Sequence, residues 1–213
     1  MQGVSSVSWA CCAAILLALS ACDARARTPN FADPRIDVRI VTDEADAVLA
    51  VLTKRERGEE IAEADWQRIF ASEGYVRLKK RELSMSRPFT ETDFKAFVLD
   101  PTQLAQRPTL AETLARWKAL DVRRPARAAL AYLPANARIR AKIYPVIKPR
   151  TNSFVFDLPD DPAIFLYLDP TMTREKFENT LAHELHHIGF GRGARRRRLR
   201  PRSNGCHPTG RRF

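Results

Sequence analysis

His183-Glu184-Leu185-His186-His187 reads H-E-x-x-H and is followed by Ile188-Gly189. Side chains four positions apart on an α-helix stand one above the other on the same face. His183 and His187 can therefore turn two imidazoles toward one cation, and this residue set at this spacing is that of a zinc site. Glu184, beside them, has the chemistry of a general base acting on a water at such a cation. His183 and His187 are thus the predicted metal ligands, Glu184 the predicted catalytic residue, and zinc the predicted cofactor. Three of the chain's four histidines lie in this one segment, and His207 is the fourth. The plainer alternative is a solvated helix face that carries three histidines by chance.

The helix that would hold this spacing is predicted from Thr173 to Phe190. Thr173 suits an N-cap, and Glu175 falls in the first turn, where a carboxylate complements the helix dipole. Gly189 and Gly191 are expected to mark its end. Phe177, Leu181, Leu185 and Ile188 recur at spacings of four, four and three, an apolar stripe for the core. His183 and His187 fall about 40° apart on the side turned away from that stripe. Glu184 sits between His187 and the stripe. His186 also faces outward, about 60° from His183, and is read as a surface or supporting residue.

Around this helix the pattern changes period. Ala137 to Ile143 alternates small or branched apolar residues with Arg138, Arg140 and Lys142, as a half-buried strand does. Ser153–Asp157 and Ala163–Leu168 read as two further strands, with Pro159-Asp160-Asp161-Pro162 as the turn between them. Ile36–Val41 is a short strand or extended entry. Helices are predicted at Thr42–Arg57, with Thr42 as cap, and at Ile61–Ser72, Thr90–Leu99, Thr102–Leu120 and Arg127–Leu133. The fourth of these is expected to be interrupted near Pro108. Trp66, Phe70, Tyr75, Phe94, Phe97 and Trp117 are expected in the core, and Lys79-Lys80-Arg81-Glu82 on a solvated face. There is no internal repeat and no Gly-rich phosphate loop.

The runs Asn152–Phe156, Leu166-Tyr167-Leu168-Asp169-Pro170 and Phe177–Gly189 together resemble an uncharacterised bacterial family assigned as zinc-dependent peptidases. The resemblance runs from about Ile36 to Gly189 and is most specific in the last forty residues or so. It implies an α+β, zincin-like fold: a helical N-terminal layer and a small sheet packed on the H-E-x-x-H helix. It also implies peptide-bond hydrolysis with His183 and His187 as ligands, Glu184 as base and a polypeptide as substrate. An edge strand of such a core lines the cleft and can pair with an extended peptide.

A third protein ligand is needed, commonly an acidic residue on a following helix. Glu184 is the last carboxylate in this sequence. The longer pattern H-E-x-x-H-x-x-G-x-x-H also fails, with Phe190 at its Gly and Gly193 at its third His. His207 is the first candidate for the third ligand and Cys206 the next. Asp157, Asp161 and Asp169 stand behind them. The residues from Arg192 to Phe213 hold nine Arg, no Lys and no acid, and without those nine the net charge of +11 falls to +2. So basic and so poor in apolar residues, this segment is expected to be a disordered tail. It can be read as a basic arm for anionic lipid or nucleic acid, as a functionless end, or as out-of-frame sequence replacing the rest of the domain. The abrupt change in composition after Gly191 favours the last, which makes residues 36–191 an incomplete metallopeptidase domain and leaves no nucleic-acid partner expected.

Ala10–Leu19 is apolar but too short to span a bilayer, and Leu19-Ser20-Ala21-Cys22 follows it. That is the pattern of a bacterial lipoprotein signal. Residues 1–21 are the expected signal peptide, Cys22 the acylated residue, and residues 22–35 a tether. The protein is then expected to be exported and held on the cell membrane, facing the periplasm or the exterior. A plain secretory signal is the alternative, because no Lys or Arg precedes the apolar run. With Cys11 and Cys12 in the signal and Cys22 acylated, only Cys206 remains, so no intrachain disulfide is expected. Two functional classes stand beside the peptidase, which itself is expected to be weak or inactive if the third ligand is lost. One is a non-catalytic zincin-like lipoprotein that binds a periplasmic partner. The other is an anion-binding protein working through its Arg tail.

Overall fold

The structure, a computed structural model, describes residues 33–198, with side chains to Phe190. The expected signal segment, Cys22, nearly all of the tether, Cys206 and His207 lie outside the described residues.

The chain enters through β1 (Ile36–Ile40), passes through six helices, forms three strands, and closes on a long helix. The helices are α1 (Asp43–Glu56), α2 (Glu63–Phe70), α3 (Glu73–Ser84), α4 (Glu91–Val98), α5 (Pro101–Lys118) and α6 (Arg123–Leu130). Then come β2 (Ile139–Val146), β3 (Phe154–Phe156), β4 (Ala163–Tyr167) and α7 (Arg174–Arg198). The fold class is α+β, as expected. The four strands form one sheet in the order β1-β2-β4-β3. β1, β2 and β4 run parallel, and β3 turns back antiparallel along β4 through the expected Pro159–Pro162 turn.

The two faces of the sheet follow from the alternation in β2. Ile139, Ala141 and Ile143, with Ile164 and Leu166, enter a core shared with α1, α5, α6 and α7. On the other face Tyr144, Val146, Ala163 and Phe165 pack with Leu78 of α3. Tyr144 and Phe165 stack at 5.0 Å, and Phe154 stacks on Phe165 at 5.1 Å. Pro145 lies in a central strand, where a missing N–H normally breaks a ladder. It is tolerated here because β1 pairs with β2 only as far as Ile143. Pro145 sits beyond that partner, on the side of β2 that β1 no longer covers.

Side-chain caps fix most of the helix starts. Ser72 Oγ accepts from Tyr75 N, and Asp100 accepts from Thr102 N. Thr90 and Asp93 cap each other's backbone N–H reciprocally. Asp43 of α1 reaches the first turn of α3, where its carboxylate accepts from Glu73 N and Gly74 N. Thr42 does stand at the N-cap of α1, but its hydroxyl donates to Asp46 and caps no backbone group.

Several expectations need correction. α3 was not foreseen, and residues expected on a solvated face belong to it. Glu82 is buried, held by Arg81 at 2.5 Å, so only part of that run meets solvent. Pro108 does not interrupt α5, which runs through it. α6 begins at Arg123, four residues before the predicted start. The glycines expected to stop the last helix lie inside α7, which continues to Arg198. Residues 192–198 of the segment expected as a disordered tail are therefore helical, and 199–213 lie outside the described residues. A glycine inside a helix costs only about 1 kcal/mol relative to Ala, and arginine favours helix. Gly189 also has a packing role: a Cβ there would collide with Leu133 Cδ1. Its absence lets α7 lie close against the link between α6 and β2. No described helix is long and apolar enough to cross a membrane.

Candidate metal centre

α7 is built as a buried back and an open front. Thr173 Oγ1 accepts from Lys176 N and Thr173 O accepts from Phe177 N, which starts the helix at the expected cap. Glu175 in the first turn is held below the ordinary carboxylate range by backbone and Thr173 hydrogen bonds. Phe177, Leu181, Leu185 and Ile188 are completely buried. Burial of side chains this size stabilises by on the order of 2 kcal/mol each, so the stripe fixes the rotation of the helix about its axis. Phe177 packs against Trp117 of α5, with ring centroids 4.7 Å apart and planes tilted by 48°. The helix also rests on α6, β2 and β3.

That rotation turns His183 and His187 outward, and both are exposed. Their Nε2 atoms are 3.0 Å apart, with ring centroids at 4.5 Å and planes at 88°. Tetrahedral zinc with Zn–N near 2.0–2.1 Å requires its nitrogen ligands about 3.3 Å from one another. The observed separation lies close to that value, and both rings offer the same nitrogen. The donor chemistry and spacing of this pair fit zinc. Glu184 is half-buried on the same turn. His186 turns to the other side and stacks on the exposed Phe190 at 6.2 Å and 18°. It supports the surface of the helix and does not join the pair.

A third ligand is not assembled within the described residues, among which no group of three His, Cys, Asp or Glu side chains could hold an ion. The three upstream aspartates are engaged elsewhere. Asp161 pairs with Arg77 and Lys142. Partial burial raises its pKa, but the bonds from Lys142 and Arg77 outweigh this and hold it below the usual range. Asp157 lies 3.7 Å from Arg77. Asp169 accepts from the backbone N and hydroxyl of Thr171. None of the three serves the histidine pair. His207 and Cys206 remain as candidates outside the described residues.

The edge strand β3 contacts α7 and is unpaired on its outer side among the described strands. Val155 points into the core that holds the α7 stripe, while Phe154 faces α3, with Arg81 stacked 3.8 Å above its ring. The sequence signalled this strand by its apolar run. It gave no sign of Leu133, whose contact with Gly189 sets how closely the helix approaches, because that contact joins residues far apart in sequence.

No curated protein matches this chain, and no solved structure matches it. A family model matches residues 66–205, starting later than the expected span and running past Gly191. Covering well over half of the chain, that match places it: the protein belongs to the family described as "Putative zinc dependent peptidase (DUF5700)".

Proposed function

We propose that this protein is a zinc-dependent metallopeptidase that hydrolyses peptide bonds, with a zincin-like arrangement of sheet and motif helix. The observation that carries the reading is the facing pair of Nε2 atoms, 3.0 Å apart, with Glu184 on the same turn. His183 and His187 would hold the ion. Zinc in that place supplies a Lewis acid that polarises water and the scissile carbonyl. Glu184 takes a proton from the attacking water and returns it to the leaving amine. The outer edge of β3 offers backbone groups on which an extended substrate can align. We assign the third ligand outside the described residues, to His207 first and Cys206 next. The lipobox-like Leu19–Cys22 run supports an acylated Cys22 and a site of action at the outer side of the cell membrane.

The test is metal content. Purified protein dialysed against metal-free buffer retains one zinc per chain, and His187→Ala loses it. Cleavage of an unstructured protein substrate then disappears in Glu184→Gln, which keeps its zinc. A chain that retains no zinc would sink the peptidase reading. A second reading is favoured by one observation, that no third donor joins the pair among the described residues. In it the fold is a non-catalytic lipoprotein that binds a periplasmic partner, and partner binding survives Glu184→Gln unchanged.

A further inference from the structure

α3, α4 and the segments after α3 and β2 line a half-open cavity of about 320 Å³. No wall of it comes from α7. Leu78, Phe89 and Phe94 make an apolar floor, while Arg87, Lys148 and Arg150 bring three cations to its lining against one acid, Glu82. Glu82 is already claimed, with Arg81 at 2.5 Å and Arg87 at 3.5 Å. Lys148 is only 4% exposed. Its ammonium donates to two neutral groups, the Arg150 carbonyl and Asn152 Oδ1. Arg87 Nε is buried, 3.5 Å from Glu82 Oε2, and makes no hydrogen bond among the described residues. Buried donors in native proteins are nearly always satisfied, and buried cations are nearly always paired. A cavity wall with a buried ammonium bound only to neutral oxygens, and with three cations sharing one carboxylate that Arg81 already holds, is short of an anion.

We propose that this cavity is a binding site for a carboxylate carried on an apolar body. The head meets Lys148, Arg87 and Arg150, and the body lies on Leu78, Phe89 and Phe94. At about 30 Å³ per water-sized group, the volume holds on the order of ten non-hydrogen atoms. That suits a medium-chain fatty acid or the last residue of a peptide with an apolar side chain. A single carboxylate matches the charge better than a dianion, because Glu82 stays in the wall. Burial, the largest cause, pushes Lys148 down to about 8; Glu82 opposes this, and Arg81, Arg150 and Arg87 add to the fall. An anion beside Lys148 favours its charged form, so binding takes up a proton near pH 8 and weakens as pH rises above it.

Calorimetric titration of the whole protein with octanoate and with N-acetyl-leucine tests the assignment and distinguishes its two sources. At least one binds at a single saturable site, and its neutral counterpart, octanol or N-acetyl-leucinamide, binds about tenfold more weakly or worse. Octanoate alone marks a fatty acid, and N-acetyl-leucine alone marks a peptide end. Binding by both marks the shared chemistry. Arg150→Gln, an exposed position whose loss leaves the core intact, weakens binding about tenfold, as does Lys148→Met. Arg138→Gln, remote from the cavity, changes nothing. The assignment is overturned if neither carboxylate saturates. It is equally overturned if the neutral counterparts bind as well, or if Arg150→Gln and Lys148→Met leave the affinity within about twofold of wild type.

Discussion

Replacing Glu44 by Gln removes a buried carboxyl that makes the fold lose stability as pH rises through the weakly acidic and neutral range. Glu44 lies in the first turn of α1 and is 1% exposed. One oxygen accepts from Ile147 N at 3.2 Å, and the other has no hydrogen-bond partner among the described residues. Burial lifts its pKa from 4.5 to about 8; the Ile147 bond opposes this, Asp43 adds to it, and Lys148 opposes it weakly. The folded value exceeds the unfolded one, so the native state keeps a proton that the unfolded chain releases. The contribution to stability is complete below about 4.5 and is lost as pH rises through about 8. Between those limits the loss is about 1.4 kcal/mol per pH unit, whatever the size of the shift. From pH 5 to pH 7 it amounts to about 3 kcal/mol. The amide of the Glu44→Gln variant has no proton to lose and retains an oxygen for Ile147 N. Urea unfolding of both proteins at pH 5, 6 and 7 reads the effect, and the other titrating groups cancel in the difference. The variant gains on wild type by about 1.4 kcal/mol at each step. A difference that stays flat over that range refutes the reasoning, and would mean that Glu44 is already charged and compensated in the native protein.

Asp43→Ala removes the acceptor that ties α1 to the first turn of α3 and costs about 1–2 kcal/mol in the same urea assay. Phe177→Ala opens a cavity against Trp117 at the back of the motif helix and costs about 3–5 kcal/mol. Gly189→Val drives a branched side chain into Leu133 and costs about 1–3 kcal/mol in thermal or urea unfolding. Zinc added to the metal-free protein raises the melting temperature, by about 3 kcal/mol of stability at a hundred times its dissociation constant. The rise is absent in a His183→Ala, His187→Ala double variant.

The strands were legible because each carries its own period or apolar run, and the sheet bears them out at β2, β3 and β4 within a few residues. The stripe on α7 was equally plain, since all four of its predicted residues are fully buried. The six aromatic residues expected in the core are there, Phe97 only in part. α3 was hidden because its sequence, Glu-Gly-Tyr-Val-Arg-Leu-Lys-Lys-Arg-Glu-Leu-Ser, shows a dense run of charge. Its inner face holds only Gly74, Tyr75, Leu78 and the ion-paired Glu82. A buried carboxylate with an arginine partner looks, in sequence, like a solvated one. The end of α7 was misplaced for a related reason. A glycine that stops a helix and a glycine that lets it approach a neighbour are the same letter, and only Leu133 distinguishes them.

The candidate metal centre divides along the same line. The 3.0 Å between His183 and His187 Nε2 depends on one helical turn and on the burial of a stripe on that same helix. Both are local, so a pattern of five residues was enough to anticipate them. A third ligand must come from another part of the chain, at a distance fixed by tertiary packing, and no local pattern encodes that. Asp157, Asp161 and Asp169 show the consequence. Each had suitable chemistry, and each is bound to a different partner: Arg77 for the first, Arg77 and Lys142 for the second, Thr171 for the third. An aspartate that already completes an ion pair or a turn would have to break it to reach the imidazoles. The remaining donors therefore weigh more than their number suggests, and zinc retention by His207→Ala and Cys206→Ala, each alone and both together, separates a complete site from a bare histidine pair. A bare pair exchanges its metal on dialysis, whereas a pair joined by His207 holds it until that residue is removed.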